Sequence, residues 1–126
     1  MSVQKNRRIL VVDDEPISLK MAASTLNDAG YEIATCDNGE QAWELLQTDQ
    51  AFDVIILDRL MPGMDGMELF KKLHHDERLT TIPVIMLTGV DESVEIINAI
   101  EEGVFDYLTK PVNQKQLLDL IEKTLS

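Results

Sequence analysis

Hydrophobic residues along the 126-residue chain fall into five short apolar runs, each followed by a longer segment in which apolar residues recur with helical spacing. The runs are rich in β-branched residues and are bounded by polar or turn residues: Ile9–Val12, Tyr31–Cys36, Val54–Leu57, Val84–Leu87 and Phe105–Leu108. Runs of this length and composition are typical of strands rather than helices. Since they show almost no polar alternation, we expect strands that are covered on both faces.

The segments between the runs carry signals that start and stop helices. Pro16 stands where a proline in the first helical turn is tolerated, and Gly30 follows the same segment as a stop signal. The pairs with the spacing of a capping box are Asp65 with Glu68 and Asn113 with Gln116. The apolar residues predicted to share one face of the fourth helix are Val94, Ile97 and Ile100.

Five strands alternating with five helices predict a doubly wound (βα)5 fold of the α/β class, similar to flavodoxin. Right-handed crossovers place the helices on both faces of a parallel sheet, and the common strand order for five strands is 2-1-3-4-5. We expect residues 1–7 to form a short polar lead-in and residues 8–126 to form the domain. Ligands bind to such sheets at the carboxyl ends of the strands.

Composition narrows the range of partners and locations. The chain has 11 basic and 23 acidic residues, so its net charge of -12 argues against direct binding of nucleic acid or anionic lipid. No apolar run approaches the roughly 18 residues that a membrane span needs. The single cysteine, Cys36, excludes an internal disulfide and fits a reducing cytoplasm.

Polar residues with complementary chemistry follow four of the five predicted strands. Asp13 and Asp14 follow the first, Asp58 the third and Thr88 the fourth, and Lys110 lies two residues beyond the fifth. In the expected order these strands are neighbours about 4.8 Å apart. Two carboxylates about 5 Å apart repel by roughly 3 kcal/mol at an effective dielectric of 20, so the cluster needs a counter-charge. Oxygen ligands on an open, hydrated edge favour Mg²⁺.

The same residues suit phosphoryl transfer. A carboxylate such as Asp58 can act as the nucleophile and form an aspartyl-phosphate. Lys110 and the Thr88 hydroxyl can each bind one phosphoryl oxygen. A cation held by the carboxylates can offset the charge of the phosphoryl group.

At these residues the sequence resembles the receiver domain of two-component response regulators, the family that includes CheY. The resemblance covers nearly the whole chain, with several motifs in the same order. The matching stretches are Ile9–Glu15, Asp53–Asp58, Met61–Gly66, Ile82–Thr88 and Asp106–Pro111.

The resemblance implies a role for each residue of the cluster. Asp58 would accept a phosphoryl group from a phosphohistidine on a sensor histidine kinase or a histidine phosphotransfer protein. Asp14 and Asp58 would ligate Mg²⁺ together with the Leu60 carbonyl, and Asp13 would act nearby through a metal-bound water. Thr88 would move toward the phosphoryl group, and Lys110 would pair with it.

The resemblance also implies an output. Tyr107 would follow Thr88 inward and change the surface formed by helix 4, strand 5 and helix 5, although a half-buried packing role for Tyr107 is an equal alternative. The Lys110–Pro111 peptide bond would be cis. The expected partner is a downstream protein or a missing effector domain. The chain would be a monomer or a weak phosphorylation-dependent dimer, and it would catalyse only its own phosphorylation and dephosphorylation.

Three other functions compete with this interpretation. A phosphohydrolase of the dehalogenase type would need an aspartate two residues after Asp58, where this chain has Leu60. A flavodoxin-like cofactor binder would need a phosphate cradle after strand 1, where the acidic stretch Asp13–Glu15 would repel phosphate. A degenerate interaction domain would lack part of the site, whereas all the expected residues are present. We assign Glu15 to favourable charge at a helix N-terminus.

Overall fold

The strands and helices alternate strictly along the chain. The computed structural model describes residues 7–89 and 93–126. Its elements are β1 (Arg8–Val12), α1 (Pro16–Asp28), β2 (Glu32–Cys36), α2 (Gly39–Thr48), β3 (Val54–Asp58), α3 (Gly66–His74), β4 (Val84–Thr88), α4 (Ser93–Glu102), β5 (Asp106–Thr109) and α5 (Gln114–Leu125). All strand pairs are parallel, and the order β2-β1-β3-β4-β5 confirms the predicted fold. Of the predicted lead-in, only Arg7 lies within the described residues.

The predicted strand bounds are accurate to one residue at each end. The differences are informative at the carboxyl ends, where β3 and β4 extend to include Asp58 and Thr88. Both polar residues therefore belong to the sheet itself, with backbones held by its ladder. β5 runs from Asp106 to Thr109, one residue later than the apolar pattern indicates.

The core lies on both faces of the sheet. Every residue of β3 and β4 is buried, as is β1 beyond Arg8, whereas the edge strands β2 and β5 are largely half-buried or exposed. Alternate residues of the central strands face opposite layers, because successive side chains of a strand point to opposite faces. Helices α2, α3 and α4 cover one face, and α1 and α5 cover the other. The near-continuous hydrophobicity of the central strands follows from this double cover.

The apolar face predicted for α4 is largely exposed where its side chains are described. Ile97 and Ile100 have 58% and 47% of their surface exposed, whereas Ala99 is completely buried. The Val94 side chain lies outside the described residues. Two faces of this helix carry apolar residues at the same spacing, so periodicity alone could not choose between them. Among the α4 side chains that the structure describes, the small Ala99 is the one buried in the core.

The predicted helix ends are mostly confirmed. Pro16 opens α1, and Gly30 follows this helix with a φ of 98°, a left-handed conformation that suits glycine. At α3 the capping box is complete, since the Asp65 side chain accepts from the Glu68 N–H and the Glu68 side chain accepts from the Asp65 N–H. At α5 the Asn113 side chain accepts from the Gln116 N–H, which is one half of the predicted box.

Candidate functional site

The carboxyl edge of the sheet gathers the polar residues that the sequence places at its strand ends. Asp13 follows β1, Asp58 ends β3 and Thr88 ends β4. Within residues 7–89 and 96–126, the buried polar or charged residues are these three, with 1%, 5% and 1% of their surface exposed. A carboxylate is costly to bury without a compensating partner. Two buried carboxylates and a buried hydroxyl at one edge of the sheet therefore indicate a site built for chemistry rather than for stability.

Lys110 joins this group from the loop after β5. Its ammonium donates to Asp13 Oδ1 and to Asp58 Oδ2, each at 3.1 Å, and its side chain is 18% exposed. β4 lies between β3 and β5 in the sheet, so Lys110 reaches across the end of β4 to Asp58. The structure thus brings together the nucleophile candidate and the cation that the sequence places 52 residues apart.

Three carboxylates in the site are close enough to share a cation. Asp13, Asp14 and Asp58 each offer one oxygen, and these oxygens all lie within 4.8 Å of one another. Asp13 Oδ1 accepts from the Glu15 N–H at 3.0 Å as well as from Lys110. Asp13 Oδ2 is also 3.1 Å from the ammonium, but it is buried and no described group donates a hydrogen bond to it.

The chemistry of the donor atoms tests whether a metal ion fits. Three carboxylate oxygens lie within 4.8 Å of one another and repel, and the single Lys110 ammonium carries only one compensating charge. The donor set consists of carboxylate oxygens, which Mg²⁺ prefers, and contains no sulfur or imidazole that would favour zinc. The residues present therefore fit Mg²⁺.

The charges of the site strongly perturb its two central groups. Burial raises the pKa of Asp58 to about 7; the Asp13 charge adds to the rise, and the hydrogen bond from Lys110 offsets part of it. Burial acts to lower the pKa of Lys110, but its hydrogen bonds to Glu15, Asp13 and Asp58 outweigh burial and raise it. With Asp13, Asp14 and Asp58 all ionised, these three carboxylates and one ammonium carry a formal charge of -2 before Glu15 is counted, so a divalent cation would reduce their repulsion.

Glu15 belongs to the site through a contact that the sequence did not predict. It precedes α1 as the N-cap residue but makes no side-chain cap. Its carboxylate instead accepts a hydrogen bond from Lys110, 95 residues away, and this ion pair lowers the pKa of Glu15. The assignment to helix-terminal charge alone is therefore incomplete. No local signal marks the contact, because it depends on how far Lys110 extends across the sheet edge.

The loop from β3 to α3 is tightly constrained. A Cβ atom on Gly66 would lie 2.3 Å from the Asp58 carbonyl oxygen, so glycine allows α3 to start against the end of β3. Glu40 of α2 accepts from the Met64 N–H at 3.1 Å and so ties α2 to this loop. The Leu60 side chain in the loop is 58% exposed.

The remaining predicted residues lie near the same edge. Thr88 Oγ1 is buried and receives or donates no hydrogen bond among the described groups. Tyr107 is half-buried and packs against the core layer beneath α2, α3 and α4. The Lys110–Pro111 peptide bond is cis, as the resemblance implies.

Comparison with known proteins decides the family. The sequence model of the response regulator receiver domain matches residues 9–122. The chain belongs to the response regulator receiver domain family. As expected for a receiver domain, it is 36% identical over 119 residues to the chemotaxis protein CheY1 of Helicobacter pylori, covering 94% of this chain and 96% of CheY1.

Other relatives are either longer than this chain or of similar length. It is 39% identical over 119 residues to the phosphate regulon transcriptional regulatory protein PhoB of Pseudomonas aeruginosa, covering 94% of this chain but 52% of PhoB. The chain thus spans about half the length of that relative. The structure of the chemotaxis response regulator CheY4 of Vibrio cholerae matches with a TM-score of 0.89 and 33% identity, covering 96% of this chain and 100% of CheY4.

The lengths and composition of the helices bear on whether the chain could cross a membrane. Across residues 7–89 and 93–126, none of them combines the length and the apolar character needed to span a bilayer.

Proposed function

We propose that this receiver domain is a Mg²⁺-dependent phosphoacceptor, with Asp58 as the residue that is phosphorylated. The donor is a phosphohistidine on a sensor histidine kinase or a histidine phosphotransfer protein. The observation that carries the proposal is the buried Asp58 carboxylate in contact with Lys110 and within 4.8 Å of the Asp13 and Asp14 oxygens. This arrangement offers a nucleophile, a cation for the phosphoryl oxygens and a place for a metal ion, which are the parts that phosphoryl transfer needs.

In the reaction, an Asp58 oxygen attacks phosphorus and a new O–P bond forms as the P–N bond to the donor histidine breaks. The leaving imidazole keeps the electron pair of the broken bond. Asp14, Asp58 and the Leu60 carbonyl would hold Mg²⁺, with Asp13 acting nearby through a metal-bound water, and the ion would supply positive charge for the phosphoryl oxygens. Lys110 pairs with one of these oxygens, since its ammonium already contacts Asp58.

Thr88 connects the phosphoryl group to the rest of the receiver domain. Its buried hydroxyl has no hydrogen-bond partner among the described groups, so a new acceptor in the site would provide one. Phosphorylation replaces the Asp58 carboxylate with a group that carries about two negative charges and strong acceptor oxygens. Thr88 then moves toward the phosphoryl group and Tyr107 follows, which changes the surface of α4, β5 and α5.

That surface transmits the signal to a downstream protein or to an effector domain in the same protein. Residues 8–126 form the receiver domain, which acts in the cytoplasm as a monomer or as a weak phosphorylation-dependent dimer. The only reactions of the domain are its own phosphorylation and dephosphorylation. The strongly negative chain favours protein partners over nucleic acid.

Intact-mass measurement after incubation with acetyl phosphate and Mg²⁺ tests the proposal. We expect one added phosphoryl group, which is lost in Asp58→Asn and is absent when a chelator removes Mg²⁺. An unmodified mass, together with failure to bind beryllofluoride, would overturn the proposal in favour of a degenerate interaction domain. Multiple turnover of phosphate esters would instead indicate a phosphohydrolase.

A further inference from the structure

Lys110 has more carboxylate partners than phosphoryl binding alone would require. An ammonium group has three N–H donors, and here they meet Asp13, Asp58 and Glu15. The contact with Glu15 is the shortest of the three. The partners also differ in exposure, since the side chains of Asp13 and Asp58 are 1% and 7% exposed and that of Glu15 is 61% exposed. Two partners are thus enclosed in the site, and the third stands at its solvent edge.

We propose that Glu15 is a positioning residue that holds the Lys110 ammonium at the outer edge of the site and thereby limits how strongly Lys110 engages Asp58. The inference rests on the proposed function, because it concerns the same phosphoacceptor. Glu15 acts through Lys110 and has no contact with the reacting atoms in this scheme.

The first consequence concerns Mg²⁺. Lys110 and a divalent cation compete for the Asp13 and Asp58 carboxylates, both of which Lys110 already contacts. Glu15 offers the ammonium a partner outside the three-carboxylate cluster, so that a metal ion can bind without leaving Lys110 unpaired. Its negative charge near the cluster acts in the same direction. Loss of this contact should therefore weaken Mg²⁺ binding.

The second consequence concerns the phosphoryl group, whose binding should become tighter, and not weaker, when the Glu15 contact is lost. Lys110 must turn its donors toward the phosphoryl oxygens, and Glu15 competes for one of those donors. Removal of the Glu15 contact frees that donor and removes a nearby negative charge. Binding of a phosphoryl analogue at saturating Mg²⁺ should therefore become tighter. A merely structural role for Glu15 would weaken both kinds of binding together.

The experiment compares the receiver domain with Glu15→Gln and Glu15→Asp, and uses Glu44→Gln as a matched control for charge, since Glu44 is exposed on α2. Three quantities are measured: the Mg²⁺ affinity, the beryllofluoride affinity at saturating Mg²⁺, and the NMR signal of the Lys110 ammonium without metal. The ammonium signal is assigned by its loss in Lys110→Arg. Circular dichroism establishes that each variant is folded.

For Glu15→Gln we expect Mg²⁺ to bind about threefold to tenfold more weakly. We expect beryllofluoride to bind about twofold to fivefold more tightly, the range for one exposed ion pair. The Lys110 signal should shift, and Glu44→Gln should match the original protein. Glu15→Asp keeps the charge but shortens the side chain. Its affinities for Mg²⁺ and beryllofluoride should therefore change in proportion to the shift of its Lys110 signal.

Affinity changes without a shift of the Lys110 signal, or a shifted signal with unchanged affinities, would overturn the role of Glu15. These outcomes are distinct from failure of the proposed function. If the unsubstituted receiver domain binds neither Mg²⁺ nor beryllofluoride, the proposed phosphoacceptor itself is wrong.

Discussion

Replacement of the Asp58 carboxylate should stabilise the metal-free receiver domain even though it removes the phosphoacceptor. Burial and the Asp13 charge raise the pKa of Asp58 from its ordinary value of 3.8 to about 7, despite the contact with Lys110. A rise of this size corresponds to a cost of about 4 kcal/mol for keeping the carboxylate ionised in the folded state at high pH. The free energy of unfolding should therefore increase when Asp58→Asn removes the charge.

The expected gain is smaller than the full cost. The asparagine amide must itself be buried, so we expect an increase of about 2 kcal/mol in the free energy of unfolding. For a chain of 126 residues this corresponds to a melting temperature about 7 °C higher. The measurement is thermal unfolding followed by circular dichroism at about pH 7 with a chelator, with Glu44→Gln as the control for loss of one exposed charge.

The pH dependence of the free energy of unfolding tests the sign of this stability change independently. Between about pH 4 and pH 7 the folded state holds a proton on Asp58 that the unfolded state has released, so this group's contribution to stability falls as pH rises. The advantage of Asp58→Asn should therefore shrink at about pH 5. Added Mg²⁺ should raise the melting temperature of the original protein more than that of the variant. An Asp58→Asn variant that melts at or below the original protein at neutral pH would refute the reasoning.

Three predictions concern the scaffold, each measured by urea unfolding. Arg8→Ala should lower the free energy of unfolding by about 1–2 kcal/mol, because it removes two hydrogen bonds of 2.9 Å to Asp49; an unchanged midpoint would contradict this. Gly66→Ala should cost about 3 kcal/mol or more, since the added Cβ meets the Asp58 carbonyl at 2.3 Å; a fully stable variant would show that the loop can shift. Asp65→Ala should cost about 1 kcal/mol and Asp65→Ser much less, because serine can still cap α3.

Local pattern determined most of the fold. Short β-branched runs and helical segments were enough to predict the alternation of strands and helices, and the order 2-1-3-4-5, which is common for five parallel strands, is the order observed. Strand-end residues of neighbouring parallel strands must meet at one edge, so Asp13, Asp58, Thr88 and Lys110 could be grouped before any coordinates. Their roles in phosphoryl transfer remain predictions, whereas their proximity follows from topology.

Tertiary structure alone decided how these groups share their partners and which helix faces are buried. The Glu15–Lys110 pair joins residues 95 positions apart, and the sharing of one ammonium among Asp13, Asp58 and Glu15 arises only in the folded site. The pKa of Asp58 likewise depends on how much water the surrounding strands exclude. On α4 the structure buries Ala99 and leaves Ile97 largely exposed. Periodicity and strand order specify which residues are neighbours, but distances, angles and desolvation arise only when the layers pack.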